Sequence, residues 1–307
     1  MATDYGTPSA TYEPDANTNA GGLIGKIAVQ LIEGEGVESE YGALFKEPMQ
    51  TGKDLEVAVY LAATGVDYSA TDAPEVPFPS AKVLYFKSNV KRTYPVKIDR
   101  KDVDEVATNV GAADRIAEEI VQTLYAGAFK EENANIMAML TGATTTGGTT
   151  SQQLVDGGSY TPADDESTAK ALLSQIKNTA KRIKRGATSV NPRGLSVRAP
   201  RVVMFIPVEM ATAIDVYARL GNENESVFAR YDIDEVFEYV PTDSTAANNA
   251  IYICDDRWFQ IRHVHADSYK QAEKAGTDNI DAFLHRYIQY AACPLFGGVK
   301  LSQAAGA

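Results

Sequence analysis

The chain has 307 residues, of which 44% are hydrophobic and 23% charged, and a formal net charge of −12. This length allows one large domain or two smaller ones, and the composition excludes a fully disordered, collagen-like or coiled-coil protein. The acidic balance argues against a protein whose whole surface coats nucleic acid. We expect no membrane span, since no apolar run approaches about 18 residues, and no signal peptide at the polar N-terminus.

The first segment, residues 1–22, consists mostly of Ala, Thr, Asn, Gly, Pro and Asp. Such a segment cannot bury enough apolar surface to become ordered on its own. We therefore expect an arm that is held by a neighbouring subunit, which is a first indication of a large assembly.

Two segments with strand periodicity follow, at residues 51–62 and 90–98. The proline-containing connection between them is too long for a loop inside a compact domain. We expect a hairpin that projects from its own domain and is covered by another molecule, because two strands alone are marginally stable in water. The candidate contacts to a neighbouring subunit are the residues Leu55, Val57, Val59, Tyr94 and Val96.

The strongest helix signal lies at residues 112–141, where Ile116, Ile120 and Leu124 recur every four residues. Acidic residues near its start suit the positive end of the helix dipole. A second apolar stripe predicts a helix at residues 167–184, and shorter strands and helices alternate after it without a βαβ rhythm. This mixture predicts an α+β fold with the first helix as a spine.

No constellation in the sequence indicates catalysis. Residues 142–149 have phosphate-loop glycine spacing, but Gly148 stands where the lysine is required. His263, His265 and Asp267 alternate along a predicted strand and form the only metal-site hypothesis, for which an exposed polar strand face is the ordinary alternative. The two cysteines, Cys254 and Cys293, are too few for a disulfide framework and lie in apolar segments. We expect no catalytic, cofactor or metal site.

The charge distribution is more informative than these motifs. Residues 167–208 contain nine basic side chains and no acidic ones, and removing them leaves 20 basic against 41 acidic residues. A basic block in an acidic chain is a candidate phosphate-contacting face, and an ordinary solvated helix face is the alternative. The spacing of seven, four and three places one set of lysines on one side of the helix. The candidate DNA-facing residues are Lys170, Lys177, Lys181 and Lys184.

The order of these features resembles the major capsid proteins of tailed bacteriophages, which share the Hong-Kong-97-type fold. The resemblance covers nearly the whole chain, and its specificity lies in the order and spacing of several short sequence segments. These segments are FKEPMQTGKDLEVAVYLA, VKRTYPVKIDRKDV, AADRIAEEIVQTLYAGA, RVVMFIPVEMATAIDVYARL and FLHRYIQYAACPLFGGVKLS.

The resemblance implies a division of the chain into the parts of that fold. Residues 1–41 correspond to the N-terminal arm, 42–98 to the extended hairpin loop and 161–280 to the axial domain. Residues 99–160 and 281–307 correspond to the peripheral domain with its long spine helix, to which the closing strand returns.

The function that this implies is a head-shell subunit that self-assembles, as pentamers and hexamers, into an icosahedral or prolate virion shell around double-stranded DNA. The implied partners are other copies of the chain, nonspecifically bound DNA and a portal protein, with synthesis in the host cytoplasm. The short segment before the hairpin implies a separate scaffolding protein, or none. The alternatives are an encapsulin-like compartment that encloses cargo and a metal enzyme that uses His263, His265 and Asp267.

Overall fold

The computed structural model describes twelve stretches of the chain: residues 40–46, 55–60, 81–86, 90–99, 112–142, 154–187, 200–217, 233–241, 249–264, 268–273, 279–293 and 295–304. The predicted arm at residues 1–22 lies outside them, as do His265 and Asp267 of the metal hypothesis and most of the glycine-containing loop at 142–149.

Within these stretches the chain forms three α-helices and eleven strands. The helices are α1 (Ala112–Thr141), α2 (Glu166–Lys184) and α3 (Val208–Tyr217). The strands are β1 (Leu55–Tyr60), β2 (Ala81–Phe86), β3 (Val90–Asp99), β4 (Val155–Tyr160), β5 (Val202–Pro207), β6 (Glu235–Tyr239), β7 (Ala250–Asp255), β8 (Arg262–His263), β9 (Ser268–Glu273), β10 (Asn279–Gln289) and β11 (Gly298–Gln303). The predicted α+β content and the 30-residue first helix are confirmed.

Contacts divide the chain into two compact units. The first contains β3, β8, β9, β10 and α1 as far as Met137, and the second contains the remaining described strands, α2 and α3. This division differs from the expected domains, because residues 261–290 belong to the first unit whereas 291–307 belong to the second. The closing strand β11 pairs with β4 and β7 and so becomes part of the second unit's sheet.

The sheet of the first unit is built around β10. One edge of β10 pairs with β3 in an antiparallel ladder from Asn279↔Asp99 to Ile288↔Val90. Its other edge pairs with β8 and β9. In the described residues, β3 therefore belongs to this sheet, whereas β1 and β2 form a separate two-stranded sheet.

The predicted hairpin exists, but its second strand differs from the prediction. β1 pairs antiparallel with β2, from Leu55↔Phe86 to Tyr60↔Ala81. The prediction that residues 90–98 supply the second strand is therefore wrong. Leu55, Val57 and Val59 lie on the hairpin, whereas Tyr94 and Val96 lie on β3 in the first unit's sheet. The strand signal of AKVLYF, residues 81–86, is weak in the sequence because this short segment closes a connection that contains Pro74, Pro77 and Pro79.

A buried ion pair ties α1 to β10 in the first unit. The guanidinium group of Arg286 binds the carboxylate of Glu132, and the two side chains are only 5% and 2% exposed. Arg286 also lies over the aromatic rings of Tyr125, at 5.9 Å, and Phe129, at 5.6 Å. The Tyr94 hydroxyl on β3 donates to Glu131 Oε2 at 2.8 Å, so Tyr94 is anchored to the same helix.

The second unit contains a five-stranded sheet in the order β4-β11-β7-β5-β6. All residues of β5 and β7 are buried, which explains why both read as continuous apolar runs rather than alternating ones. On one face, Val202, Met204 and Ile206 belong to a core cluster that includes residues of α2 and α3. On the other, Phe205 contacts the rings of Phe237 and Phe259 at 5.0 and 5.7 Å.

The buried ion pair provides a test of the first unit's packing. Glu132→Gln should lower the free energy of unfolding by about 3–5 kcal/mol, because it leaves the Arg286 charge buried without its counter-charge. The double variant Glu132→Gln/Arg286→Met should lose less free energy of unfolding than the single variant, because it leaves no unpaired charge in the interior. Urea unfolding of the full chain measures both, and Lys170→Gln, which removes an exposed pair, is the control with an expected loss under about 0.5 kcal/mol. Equal losses in the free energy of unfolding of the Glu132 and Lys170 variants would show that burial of the ion pair does not increase the cost of removing one partner.

The buried tyrosines predict an alkaline loss of stability. Burial raises the pKa of Tyr252 to about 12, while the unfolded chain releases this proton near its ordinary value of 10.0. Stability is therefore intact below pH 10.0 and falls as the pH rises towards 12, by up to about 1.4 kcal/mol per pH unit. Tyr252→Phe should unfold like the parent at pH 8 but decline less steeply above pH 10, in urea titrations at each pH. Parallel declines would contradict this assignment.

Candidate nucleic-acid interface

Helix α2 carries the predicted basic face, and its start is set by a capping box. The backbone N–H of Thr168 donates to Asp165 Oδ1 at 2.7 Å, and the N–H of Asp165 donates to Thr168 Oγ1 at 3.0 Å. The hydrogen bond from the Thr168 backbone lowers the pKa of the Asp165 carboxyl. With Asp164 and Glu166 beside it, the start of the helix is acidic, which suits the positive end of its dipole.

The apolar stripe of α2 determines which side of the helix faces outward. Its predicted members are all buried, together with Thr179, whose hydroxyl donates to the Gln175 carbonyl oxygen at 2.9 Å. The stripe belongs to the same core cluster as the buried β5 and β7 residues Met204, Ile206 and Ile253. The predicted buried residues are Ala169, Leu172, Leu173, Ile176, Ala180 and Ile183.

The four candidate lysines share one side of α2, within about 60° of the helix circumference. Their environments differ. Lys170 is 52% exposed and pairs with Glu166 one turn earlier, whereas Lys184 is 22% exposed with Nζ 3.0 Å from Asp234 Oδ2. Lys177 and Lys181 are half-buried, and both make contacts within the chain. The side of α2 that carries these four lysines therefore lies next to the most exposed side of the helix and does not coincide with it.

The most exposed line along α2 runs through Ser174, Asn178, Arg182 and Arg185. Both arginines belong to the predicted basic block, but the lysine spacing did not select them. A helical projection of the sequence could have identified them, because both arginines lie on the side of the helix opposite the apolar stripe. Arg182 and Arg185 therefore join the candidate interface.

The last turn of α2 has a fixed backbone. The N–H of Ala187 donates to the Arg182 carbonyl oxygen at 2.9 Å, and the N–H of Gly186 donates to the Ile183 carbonyl oxygen at 3.0 Å. Gly186 has a positive φ of 65°, which a glycine adopts without a steric penalty. These two bonds and the left-handed glycine form a Schellman motif, which satisfies the carbonyl oxygens of Arg182 and Ile183.

The strands beside α2 modify its charge. Asp234 accepts a hydrogen bond from the Val202 N–H at 2.7 Å as well as pairing with Lys184. Arg201 pairs with Glu235, so this member of the basic block is compensated within the fold. Arg193 and Arg198 lie outside the described residues. The remaining positive charge is concentrated in the second half of α2, from Lys177 to Arg185.

The described residues contain no group of three or more His, Cys, Asp or Glu side chains that could hold a metal ion. The ring of His263 stacks on that of Phe45 at 5.1 Å, and His285 Nδ1 lies 2.8 Å from Thr93 Oγ1. Cys254 and Cys293 are buried free thiols, and burial raises the pKa of Cys254 far above its usual value. No helix in the described stretches is long and apolar enough to cross a membrane.

Several solved structures of phage capsids are similar to this chain. The capsid protein of Staphylococcus phage Andhra matches with a TM-score of 0.63 at 12% identity, over 87% of this chain and 85% of that one. The capsid of cyanophage P-SCSP1u matches with a TM-score of 0.54 at 12% identity, over 85% and 86% of the two chains. The mature capsid of bacteriophage PhiM1 matches with a TM-score of 0.51 at 11% identity, over 85% of each chain. The fold is thus that of a Hong-Kong-97-like capsid subunit.

The family model of Phi29-like phage major capsid proteins matches residues 2–301, and the chain belongs to this family. No match was found among curated proteins. The protein is a phage major capsid protein that forms the head shell and is a component of the virion. Membership of a structural family implies a non-enzymatic role, and it does not favour the encapsulin-like alternative.

Proposed function

We propose that the outward side of α2 lies on the inner surface of the head shell and faces packaged double-stranded DNA. The observation that carries this proposal is the charge of residues 177–185, which include five basic side chains and no acidic one, in a chain of net charge −12. A shell that is acidic throughout would repel the phosphates at short range. Basic side chains reduce that repulsion within a Debye length of about 8 Å.

The contacts in this proposal are nonspecific. Lysine and arginine side chains on one helix side bind phosphate oxygens without reading base edges, so they fit DNA of any sequence. The docking of α2 on the sheet by its apolar stripe places the basic side chains away from the core. The expected affinity is low per subunit and sensitive to salt.

A second proposal concerns the hairpin of β1 and β2, which we assign as a clamp onto a neighbouring subunit. A hairpin of two six-residue strands is at best marginally stable by itself, so a covering surface would stabilise it. Among the candidate contacts, Leu55, Val57 and Val59 remain in this role. Tyr94 is proposed instead as a packing residue of the subunit itself, because its hydroxyl donates to Glu131, and Val96 lies on the same strand β3 beside β10.

Further features of the assembly are proposed from the family resemblance. We assign the first unit, with α1 and β10, as the peripheral domain and the second, with the five-stranded sheet, as the axial domain. Subunits would form pentamers and hexamers of an icosahedral or prolate shell made in the host cytoplasm. A portal protein and a separate scaffolding protein are the expected partners.

The inner-surface proposal predicts the phenotype of a neutralised helix. In the variant Lys177→Gln/Lys181→Gln/Arg182→Gln/Arg185→Gln, empty shells should assemble normally, but particles should retain less DNA at low salt, and this retention should change less as salt is raised. Each phosphate contact accounts for about a 3.5-fold loss of affinity between about 50 and 200 mM salt, so each lost contact removes that much of the salt dependence. Electron microscopy and nuclease-protected DNA per particle give the two readouts. Unchanged DNA retention, or a map with this side of α2 on the outer surface, would refute the proposal.

The clamp proposal predicts that the hairpin is needed for assembly but not for folding. Leu55 and Phe86 are paired across the hairpin, so their Cα atoms lie about 5 Å apart and a short Gly-Ser turn can replace residues 55–86. The shortened chain should remain soluble and unfold cooperatively, yet fail to form stable closed shells by electron microscopy. As a control, residues 61–80 alone are replaced by a flexible segment of equal length. Shells of normal stability from the shortened chain would disprove the clamp.

A further inference from the structure

Two arginines lie directly opposite each other in the sheet of the first unit. Arg92 on β3 is paired with Arg286 on β10, and side chains paired in this way share one face, with Cβ atoms about 4.5–5.5 Å apart. Like charges in this arrangement destabilise the pairing of the strands. We propose that helix α1 makes this pairing conditional: the start of β3 stays paired with β10 only while two carboxylates of α1 lie against the two arginines.

The compensating charges are consecutive residues of α1. Glu131 binds Arg92 and Glu132 binds Arg286, so the helix supplies one carboxylate to each strand. Tyr94, which shares this face of β3, donates its hydroxyl to Glu131 Oε2 at 2.8 Å. The two arginines and two carboxylates have no net charge only when α1 is in place.

The burial of this charge cluster limits what water and salt can do in place of the helix. Arg286 and Glu132 are nearly inaccessible, and two aromatic rings of α1 lie against the guanidinium group. Buried charges are screened much less by salt than exposed ones. Arg92 and Glu131 are 58% and 29% exposed, so this half of the cluster is screened in part. Withdrawal of the carboxylates would therefore leave two positive charges facing each other in poorly hydrated surroundings.

The strand that opens in this proposal is β3. β10 is paired on both edges, with β3 on one and with β8 and β9 on the other, whereas β3 pairs with β10 alone among the described strands. Only two pairs of the ladder, Val90↔Ile288 and Lys91↔Tyr287, lie beyond the arginines at this end. Opening here frees the start of β3 and leaves the rest of the ladder intact, as in local fraying.

The start of β3 is also the end that connects to the hairpin. β2 ends at Phe86 and β3 begins at Val90, so release of the first residues of β3 would lengthen the segment that joins the two strands. A movement of α1 that withdraws its two carboxylates is in this way coupled to the reach of the hairpin.

The test is amide hydrogen exchange of the full-length chain, measured at two places in one ladder. The arginine end comprises residues 90–94 and 284–288, and the far end comprises residues 96–99 and 279–282. The ratio of exchange rates between the two ends reports opening at the arginines, because a loss of stability of the whole unit changes both ends together.

The variant Glu131→Gln/Glu132→Gln removes both compensating charges. The exchange ratio should rise about fivefold, the upper value for one like-charged pair across two strands. The matched control Asp234→Asn/Glu235→Gln also removes two consecutive carboxylates, each paired with a basic side chain in the second unit, and should leave the ratio unchanged.

A third substitution separates charge repulsion from lost packing. Adding Arg92→Gln to the double variant should return the ratio to within about twofold of the parent, because only one positive charge remains. Adding Arg92→Lys instead keeps both charges and should leave the ratio raised.

Several outcomes would overturn the conditional pairing. These are an unchanged ratio in the double variant, an equal rise in the control, a rise of exchange that is uniform over both ends, and equal recovery with Arg92→Gln and Arg92→Lys. If the double variant does not fold, Glu131→Gln alone keeps the buried pair and should raise the ratio by a smaller amount, which Arg92→Gln reverses. An unchanged ratio in that single variant would overturn the proposal as well.

Discussion

The packing of one amphipathic helix on one buried sheet determines the candidate interface. The apolar stripe of α2 shares a core with β5 and β7, whose residues are all buried. Each fully buried Leu or Ile in that stripe contributes about 1.5–3 kcal/mol, so rotating the helix about its axis would cost several times that amount. The outward direction of Arg182 and Arg185 is a consequence of this packing.

The first unit relies on a different constraint, which is the compensation of charge in an apolar environment. Glu132 and Arg286 are both nearly inaccessible, and two aromatic rings lie against the guanidinium group. Such a pair adds little net stability relative to a hydrophobic substitute, but removing one partner is costly. A shift of α1 against β10 would separate the two groups and leave both charges buried without compensation, so the pair opposes such a shift.

The two units also differ in how their charges are used. In the first, acidic residues of α1 bind Arg286 and Tyr94 within the subunit. In the second, the acidic side chains at Asp234 and Glu235 each compensate one basic residue, Lys184 and Arg201, and the basic end of α2 keeps a local excess of positive charge. An acidic protein can in this way present a basic surface of limited extent, which is what a nonspecific, salt-sensitive contact with DNA requires.

Elements with local signals can be recognised from the amino-acid sequence alone. The spine helix, the apolar stripe of α2 and the buried strands β5 and β7 follow from periodicity and from continuous apolar runs, and the order of characteristic segments indicates the capsid family. The pairing of strands, in contrast, is visible only in the folded subunit, because hydrogen-bonded ladders such as β3 with β10 join segments almost 200 residues apart and leave no periodic trace in the sequence. The same holds for the charges. Spacing placed the lysines on one side of the helix, but the ion pair between Lys184 and Asp234, which lies 50 residues further along the chain, forms only in the folded subunit.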